Sequence, residues 1–342
     1  MRARILIVIV AVLVVAVVGT GAGLLLSRGQ TSAGGNAAAP VSLCSDSQSD
    51  YAIAFSPDGK TLATAAEPSS SPGESEYVDL WTVPGGTQTA TLNNTDGTSG
   101  IFPSVAFSPD GKTLAISSLG DMQGVQLWDV ATRRQVGDLQ FQSSSISGSG
   151  YGYPAIAFSP HGKMLAAGGE VWDVADQSQV GMYGTPGNVT AVAFSPDGRT
   201  LATESGSSSQ TVQIWNIAAH TQVATLHADG PVWSLAFSPD GKGLVTSSGE
   251  PDVQVWRTDT WKLATTLNAP VESMYPAVAF SPDGRTLALD TSLYTSTGFA
   301  DVELWNTTSG WPWKGTAPEE PPVPDETQES EQCLAQRGAD GS

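Results

Sequence analysis

The chain is poor in the side chains from which metal sites and redox sites are built. It has two cysteines and three histidines among 342 residues, and only 14% of its residues are charged. Two thiols cannot form a structural zinc site by themselves, and His161, His220 and His227 show no ligand-like spacing with Cys44 or Cys333. We therefore expect no bound metal and no cofactor.

Basic residues are the second shortage. The chain has 15 lysines and arginines against 34 aspartates and glutamates, and two of the basic residues, Arg2 and Arg4, precede the first long apolar run. A surface this acidic repels the phosphate backbone of DNA and RNA, so we expect no nucleic-acid partner. We interpret the acidity as a source of solubility rather than as the mark of a specific cationic partner.

Recognisable catalytic motifs are also missing from the sequence. It contains no phosphate-binding loop, no nucleophile elbow, no zinc-protease motif and no EF-hand loop. Six acidic residues in candidate loops could gather around a calcium ion, but their spacing does not require one: Asp96, Asp121, Glu250, Asp252, Asp290 and Asp301. We therefore predict no catalytic residues, no metal ligands and a protein that is not an enzyme.

The first 26 residues predict a membrane anchor. Ile5 to Leu26 is an uncharged stretch of 22 residues. As a helix it would be roughly 33 Å long, enough to cross a bilayer. Arg2 and Arg4 favour a cytoplasmic N-terminus, so the rest of the chain is expected outside the cytoplasm. A cleavable signal peptide is the alternative, although its apolar region is normally about 7 to 15 residues long. Residues 27–40, rich in Gly and Ala, predict a flexible linker.

One internal repeat dominates the rest of the chain. The segment from Ala54 to Ala63 recurs with little change in six copies, and each copy is followed by an apolar-polar-apolar segment that ends on a tryptophan. We expect each tryptophan to act as a large apolar plug between neighbouring units. The repeat phenylalanines are Phe55, Phe107, Phe158, Phe194, Phe237 and Phe280, and the tryptophans are Trp81, Trp128, Trp172, Trp215, Trp256 and Trp305. Six copies of one pattern indicate a repeat architecture.

Each unit predicts four short strands. The stretch up to Phe107 alternates polar and apolar residues, as a half-buried strand does. Residues 108–111, Ser-Pro-Asp-Gly, form a turn in which proline presets φ and glycine supplies a positive φ. A second strand starts at Thr113, a third covers Val125 to Trp128, and a fourth fits Arg134 to Leu139. Four strands per unit, repeated radially, predict an all-β propeller with six four-stranded blades.

These repeats resemble the WD-repeat family, named for the Trp-Asp pair seen here at Trp128-Asp129 and Trp172-Asp173. The resemblance covers roughly residues 41–317 and implies a six-bladed β-propeller, here of a membrane-anchored bacterial type. The other four units replace the Asp, and the family's Gly-His pair before the first strand is missing. The buried His–Asp–Ser/Thr–Trp hydrogen-bond network of the family is therefore expected to be absent.

The two ends of the repeat region carry the two cysteines. Cys44 lies just before the first repeat and Cys333 after the last, so a disulfide between them is the expected pairing in an oxidising compartment. Residues 318–342 are acidic and proline-rich, and we interpret them as a disordered tail. Two segments compete for the outer strand of the last blade, Val41–Leu43 and Trp311–Gly315.

A propeller of this kind predicts a binding module, because it is a rigid disc whose loops supply specificity. The predicted function is a protein–protein interaction scaffold, held by its N-terminal helix at the outer face of the cell membrane, with protein partners of unknown identity. A carbohydrate-binding or small-ligand-binding sensor is the alternative. A propeller hydrolase is less favoured because the innermost strands offer mainly Val, Ala and Ile.

Aromatic residues at the entry to the innermost strands are the predicted partner-binding site. They are Phe102, Tyr153, Trp233 and Tyr275. The loops that precede these strands vary in length and content, whereas the Ser-Pro-Asp-Gly turns barely vary. Tyr and Trp are favoured in binding hot spots, while the alternative role for these side chains is to plug the channel.

Overall fold

A computed structural model describes most of the repeat region. The described residues are 50–66, 77–83, 87–93, 104–118, 124–141, 155–184, 189, 191–204, 210–248, 252–268, 277–281, 283–290 and 302–307. The predicted membrane helix, the linker 27–40 and the tail 318–342 lie outside them. Within these ranges, no helix has the length and apolar character needed to span a membrane.

The described residues contain 23 strands in six antiparallel sheets, here called blades 1 to 6 in chain order. Blade 1 has β1 (Asp50–Phe55), β2 (Thr61–Ala66), β3 (Tyr77–Thr82) and β4 (Gln88–Asn93). Blade 2 has β5 (Val105–Phe107), β6 (Thr113–Ser118), β7 (Gly124–Asp129) and β8 (Arg134–Gln140). Blade 3 has β9 (Ile156–Phe158), β10 (Met164–Ala167), β11 (Glu170–Asp173) and β12 (Ser178–Met182).

The second half of the chain repeats this pattern. Blade 4 has β13 (Val192–Phe194), β14 (Thr200–Glu204), β15 (Thr211–Asn216) and β16 (Thr221–His227). Blade 5 has β17 (Val232–Phe237), β18 (Gly243–Ser248), β19 (Asp252–Arg257) and β20 (Leu263–Asn268). Blade 6 has β21 (Val278–Phe280), β22 (Thr286–Asp290) and β23 (Val302–Asn306) within the described residues.

The strand order makes the first strand of each blade the innermost one. The strands of every blade lie side by side in chain order, and the first strands of consecutive blades contact one another from β1 through β5, β9, β13 and β17 to β21. The predicted all-β, six-bladed propeller with four-stranded blades is confirmed.

The Ser-Pro-Asp-Gly turn joins first strand to second in the same way around the disc. In blade 2, the Gly111 N–H donates to Ser108 O at 2.8 Å, and Gly111 has a φ of +72° that favours glycine. The Ser108 hydroxyl donates to Asp110 Oδ1 at 2.7 Å, and the Lys112 N–H donates to the same oxygen at 3.1 Å. Blade 3 keeps the serine–glycine bond but has His161 in place of the aspartate.

In blades 2 to 6, the repeat tryptophan near the end of the third strand packs on the preceding blade, as predicted. Trp128 of blade 2 shares a core cluster with Val78 and Leu80 of blade 1, and Trp256 of blade 5 packs with Val212 and Ile214 of blade 4. One large aromatic side chain therefore takes part in the apolar core at each of these interfaces.

The expected loss of the whole tryptophan-centred hydrogen-bond network is wrong in part. Trp81 Nε1 donates to Thr64 Oγ1 at 3.0 Å, and Trp215 and Trp256 donate to Thr203 and Thr246 at 3.1 Å. Blade 2 has isoleucine in place of this threonine, and Trp128 Nε1 donates instead to Gln126 Oε1 at 3.1 Å. A buried indole N–H needs an acceptor, and each of these blades supplies the one its sequence allows.

Four connections from third to fourth strand contain a residue with positive φ. These residues are Arg133, Gln177, His220 and Trp261, with φ between 51° and 58°. Gln177 Nε2 donates to Val136 O of blade 2 at 3.1 Å, and His220 Nδ1 lies 2.9 Å from the hydroxyl oxygen of Tyr183, the residue that follows β12 of blade 3. The Gln177 and His220 side chains therefore link neighbouring blades at the rim of the disc.

Candidate functional site: the loop face of the propeller

The strand directions divide the disc into two faces. Because neighbouring strands are antiparallel, the connections from first to second strand and from third to fourth strand lie on one side, here called the turn face. The connections from second to third strand, and those between blades, begin and end on the opposite side, here called the loop face.

The turn face is uniform, and its charges balance. Its connections contain eight basic and seven acidic residues. The Ser108 hydroxyl and then the Lys112 N–H lower the pKa of Asp110, and Ser56 and Lys60 do the same for Asp58. Lys60, Lys112 and Lys242 form exposed ion pairs of 3.6 to 3.7 Å with the aspartates of their own turns. Such pairs add little stability, but they neutralise this face.

A cleft of about 510 Å³ lies on the turn face between blades 1 and 2. Its two carboxylates, Asp58 and Asp110, each accept hydrogen bonds within their own turn and pair with their own lysine. Because the same turn contacts recur in blades 4, 5 and 6, this arrangement is structural, and we do not place the candidate site here.

The loop-face connections differ from the turn-face connections because their charged residues are all acidic. The segments that connect strands on this face contain nine acidic residues and no lysine or arginine. All ten basic residues between positions 50 and 307 fall in a turn-face connection or at the strand residue beside one, as Arg134 and Arg257 do. The net negative charge of the connecting segments therefore belongs to those that begin and end on the loop face.

In the described part of the loop face, two acidic side chains accept hydrogen bonds from glutamine side chains. Asp229, which is exposed, accepts a hydrogen bond from Gln254 Nε2 at 2.8 Å, and its own N–H donates to Gln254 Oε1 at 3.3 Å. Gln254 is buried in β19, two residues before Trp256. In blade 3, the buried Glu170 accepts from Gln179 Nε2 at 3.2 Å.

Sequence reasoning missed this layer of buried polar residues. The residue two positions before each repeat tryptophan is polar in all six units: Asp79, Gln126, Glu170, Gln213, Gln254 and Glu303. Asp79, Gln126, Glu170 and Gln254 are each at most 4% exposed. The signal was present in the repeat alignment, where a strictly polar position stands inside an otherwise apolar strand.

Trp233 is the one predicted partner-binding residue within the described ranges. It is half-buried in β17, at a β-bulge where pairing with β18 shifts between Val232 and Ser234. β1 has the same irregularity at Tyr51, which stands four residues before its repeat phenylalanine just as Trp233 does. A bulge re-aims a side chain, so the bulge sets the direction of Trp233 at the loop-face end of an innermost strand.

The other predicted site residues lie outside the described residues. They are Phe102, Tyr153, Tyr275 and the proposed disulfide pair, Cys44 and Cys333. Phe102, Tyr153 and Tyr275 stand five residues before the repeat phenylalanine, where the described Val189 and Val232 are 1% and 2% exposed. The four aromatics therefore occupy two different repeat positions, and only Trp233 occupies the bulge position.

Comparison with known families agrees with the fold. The family model described as "WD domain, G-beta repeat" matches residues 177–216 and 220–257, which run from the end of blade 3 into blade 5. These matches and the six blades support a WD-repeat propeller. No curated protein matches the chain. The matched segments cover under a quarter of the chain, and the repeat pattern extends the same unit to the remaining blades.

Among the described residues, no three His, Cys, Asp or Glu side chains come together as a metal site would require. WD-repeat propellers generally act as scaffolds rather than enzymes, and the uniform turn face and acidic loop face fit that role.

Proposed function

We propose that this protein is a membrane-anchored, extracytoplasmic interaction scaffold that binds a basic protein surface through its loop face. The observation that carries the proposal is the sorting of charge: nine acidic residues and no lysine or arginine in the loop-face segments, against balanced charge on the turn face. The hydrophobic stretch from Ile5 to Leu26 supports anchoring outside the cytoplasm.

Charge sorting favours binding because solubility alone does not require it. An acidic composition spread over both faces would keep the protein soluble equally well, whereas one cation-free face attracts a cationic partner and orients its approach. The loops on that face also vary in length and content from blade to blade, as a specific recognition surface requires.

Charge reversal on each face in turn tests the proposal. The ectodomain is used to capture partners from solubilised membranes, and Asp121→Lys with Glu250→Lys on the loop face is compared with Asp176→Lys with Asp259→Lys on the turn face. Both pairs change the net charge equally. We expect the loop-face pair to lose the captured partner, and the turn-face pair to retain it. Equal retention by both variants, or loss only in the turn-face pair, overturns the proposal.

Salt dependence provides a second readout with the unmodified protein. Screening shortens the electrostatic range from about 10 Å at 0.1 M salt to about 3 Å at 1 M salt. We therefore expect the association rate to fall steeply as salt is raised. A rate that does not change with salt would remove the electrostatic basis of the proposal.

The aromatic part of the site has its own test. In one variant, Tyr153, Trp233 and Tyr275 are changed together to alanine. In a second variant, only Trp233 is changed to alanine. If the bulge residue contacts the partner, Trp233→Ala alone accounts for most of the lost affinity. If the folded triple variant keeps its melting temperature and its affinity, the channel-mouth site is wrong.

A further inference from the structure

The turn between first and second strand of blade 3 differs from the other five at one position. Five turns carry an aspartate there, and blade 3 carries His161. In blade 2, Asp110 Oδ1 accepts from the Ser108 hydroxyl at 2.7 Å and from the Lys112 N–H at 3.1 Å. The same two bonds, of 2.6 to 3.1 Å, occur in blades 1, 4, 5 and 6. The turn of these blades therefore binds its own carboxylate.

The backbone of the blade 3 turn keeps the geometry that holds this carboxylate. The Gly162 N–H donates to Ser159 O at 2.8 Å, and the Met164 N–H donates to Ser159 Oγ at 3.0 Å. The equivalent bonds of blade 2 measure 2.8 and 2.9 Å, and the turn glycines have φ of 70° in blade 3 and 72° in blade 2. The Ser159 hydroxyl and the Lys163 N–H therefore lie where their counterparts in blade 2 donate to Asp110.

These two donors have no carboxylate acceptor among the described residues. Ser159 is 3% exposed, and its hydroxyl oxygen accepts from the Met164 N–H while no described residue accepts its proton. Within the described ranges, the ammonium of Lys163 also lacks the ion pair that three other turn lysines make with their own aspartates at 3.6 to 3.7 Å. A buried hydroxyl, a backbone N–H and an ammonium group at one place are the donors that an anion requires.

The adjacent turns do not supply this acceptor. The turn of blade 3 packs closely on that of blade 2, because a Cβ added to Gly162 would lie 3.4 Å from Pro109 Cδ. Asp110 of blade 2 and Asp197 of blade 4 nevertheless accept hydrogen bonds from the serines of their own turns, at 2.7 and 2.6 Å. Both carboxylates are therefore engaged within their own turns.

We propose that the turn of blade 3 binds a carboxylate group of a second protein, either an acidic side chain or a C-terminal carboxylate. One oxygen accepts from the Ser159 hydroxyl and the Lys163 N–H, and the other faces the Lys163 ammonium, in the manner of Asp110 in blade 2. Such hydrogen bonds to a charged acceptor are stronger than those between neutral groups. The incoming group is not bonded to the Cβ atom of His161, so it lies further from that atom, and the exposed imidazole can rotate to admit it.

This site lies on the turn face, so it is separate from the loop-face contact of the proposed function and does not depend on it. A scaffold with both sites would hold a basic surface on one face and an acidic group on the other. Because a single exposed ion pair contributes little free energy, the turn of blade 3 would orient a partner within a larger interface.

Lysine-selective NMR measures binding in the full chain. The chain has six lysines, and the N–H groups of Lys60, Lys112 and Lys242 already donate to their own aspartates at 3.1 Å. The probe is N-acetyl-aspartate methylamide, with the uncharged asparagine compound as control and ionic strength held constant with sodium chloride. We expect the amide signal of Lys163 to shift and saturate while those three signals stay in place. No saturable shift, or an equal shift with the asparagine compound or with chloride, overturns the proposal.

A second probe distinguishes the two sources of the carboxylate. N-acetylglycine carries the carboxylate of a chain end, whereas the aspartate compound carries that of a side chain. Saturable binding of either compound at the Lys163 amide supports the site, and the tighter of the two identifies the source.

Two variants at one position provide the matched control. His161→Asp supplies a carboxylate from the chain itself, as the other five blades do, so we expect the affinity of the turn for the probe to fall roughly tenfold or more. His161→Ala removes the imidazole without supplying a carboxylate and should keep the shift of Lys163. Equal binding by the two variants would show that the probe binds elsewhere.

Melting temperature gives a readout that does not depend on the lysine signals. A ligand that binds only the folded state stabilises it. The aspartate compound should therefore raise the melting temperature of the natural chain and of His161→Ala, but not that of His161→Asp. Lys163→Gln keeps the hydroxyl and backbone donors but loses the ammonium, so its rise should be smaller. A rise of the same size in His161→Asp as in the natural chain contradicts the proposal.

Discussion

At the scale of single residues, one aspartate oxygen is the shared hydrogen-bond acceptor of each Ser-Pro-Asp-Gly turn. In five blades it accepts hydrogen bonds from both the serine hydroxyl and the N–H two residues later, as Asp110 Oδ1 does in blade 2. His161 of blade 3 stands at this position and is exposed. The Ser159 and Gly162 backbone bond and a glycine φ of 70° show that the turn forms without the aspartate.

The turn of blade 3 therefore lacks the aspartate acceptor, and a single substitution can restore it. We expect His161→Asp to raise the free energy of unfolding by about 1 kcal/mol, because it restores hydrogen bonds to a charged acceptor that is exposed to water. Chemical denaturation measures the change. His161→Asn, an uncharged acceptor of the same shape as Asp, should give a smaller gain, and no gain from either variant would show that the turn does not depend on this oxygen.

Only some of the contacts made by single residues could be predicted from the sequence. The turn glycines and the packing of the tryptophans followed from residue chemistry alone. The tryptophan–threonine hydrogen bonds did not, because their register depends on which residue of the second strand lies beside Trp215 or Trp256. Only the paired strands show that Thr203 and Thr246 lie within reach of these indoles.

At the scale of strands, the fourth strand of blade 2 is contacted by a side chain of the blade that follows it. Gln177, held at a φ of 51°, lies over β8 so closely that a Cβ added to Gly137 would come within 2.6 Å of its Nε2 atom. The glycine thus makes room for a clasp between blades 2 and 3. Glycine is favoured at position 137 because it allows Gln177 to approach the strand closely, and not because the backbone conformation there is unusual.

A double-mutant cycle measures this clasp. Gly137→Ala removes backbone freedom from the unfolded chain, but it displaces Gln177 from Val136 O. We expect Gly137→Ala to be about 1 kcal/mol less favourable when Gln177 is present than in a Gln177→Asn background, where the side chain is too short to reach. Asparagine tolerates positive φ, so it serves as the matched replacement. Additive effects in thermal unfolding would contradict a direct contact.

At the scale of the whole molecule, the two chain ends are predicted to meet. Cys44 and Cys333 are 289 residues apart in sequence, and both lie outside the described residues. A disulfide closing so long a loop should stabilise the fold by roughly 2–5 kcal/mol.

The disulfide prediction is checked on protein purified from its native compartment. Intact mass after thiol alkylation should show no modified cysteine unless a reductant is added first. The Cys44→Ser, Cys333→Ser variant should unfold at lower denaturant concentration than the oxidised protein and at the same concentration as the reduced one. Two alkylated thiols in protein that has not been treated with reductant would contradict the predicted disulfide.

The repeating unit, the number of blades and the turn between first and second strands were predicted from the amino-acid pattern and are confirmed. These features depend on local chemistry, namely φ preferences in Ser-Pro-Asp-Gly and alternation in short strands, and the six copies reinforce one another. The alternation of four strands per unit also predicts from the sequence which connections share a face. What the tertiary structure decided is where each strand begins and ends, and these bounds assign the lysines and arginines to turn-face connections or the strand residues beside them and leave only acids as charged residues in the loop-face connections. The charge sorting depends on these bounds, because consecutive connections alternate between the two faces and a strand end that shifts by a residue or two moves a charged side chain from a connection into a strand.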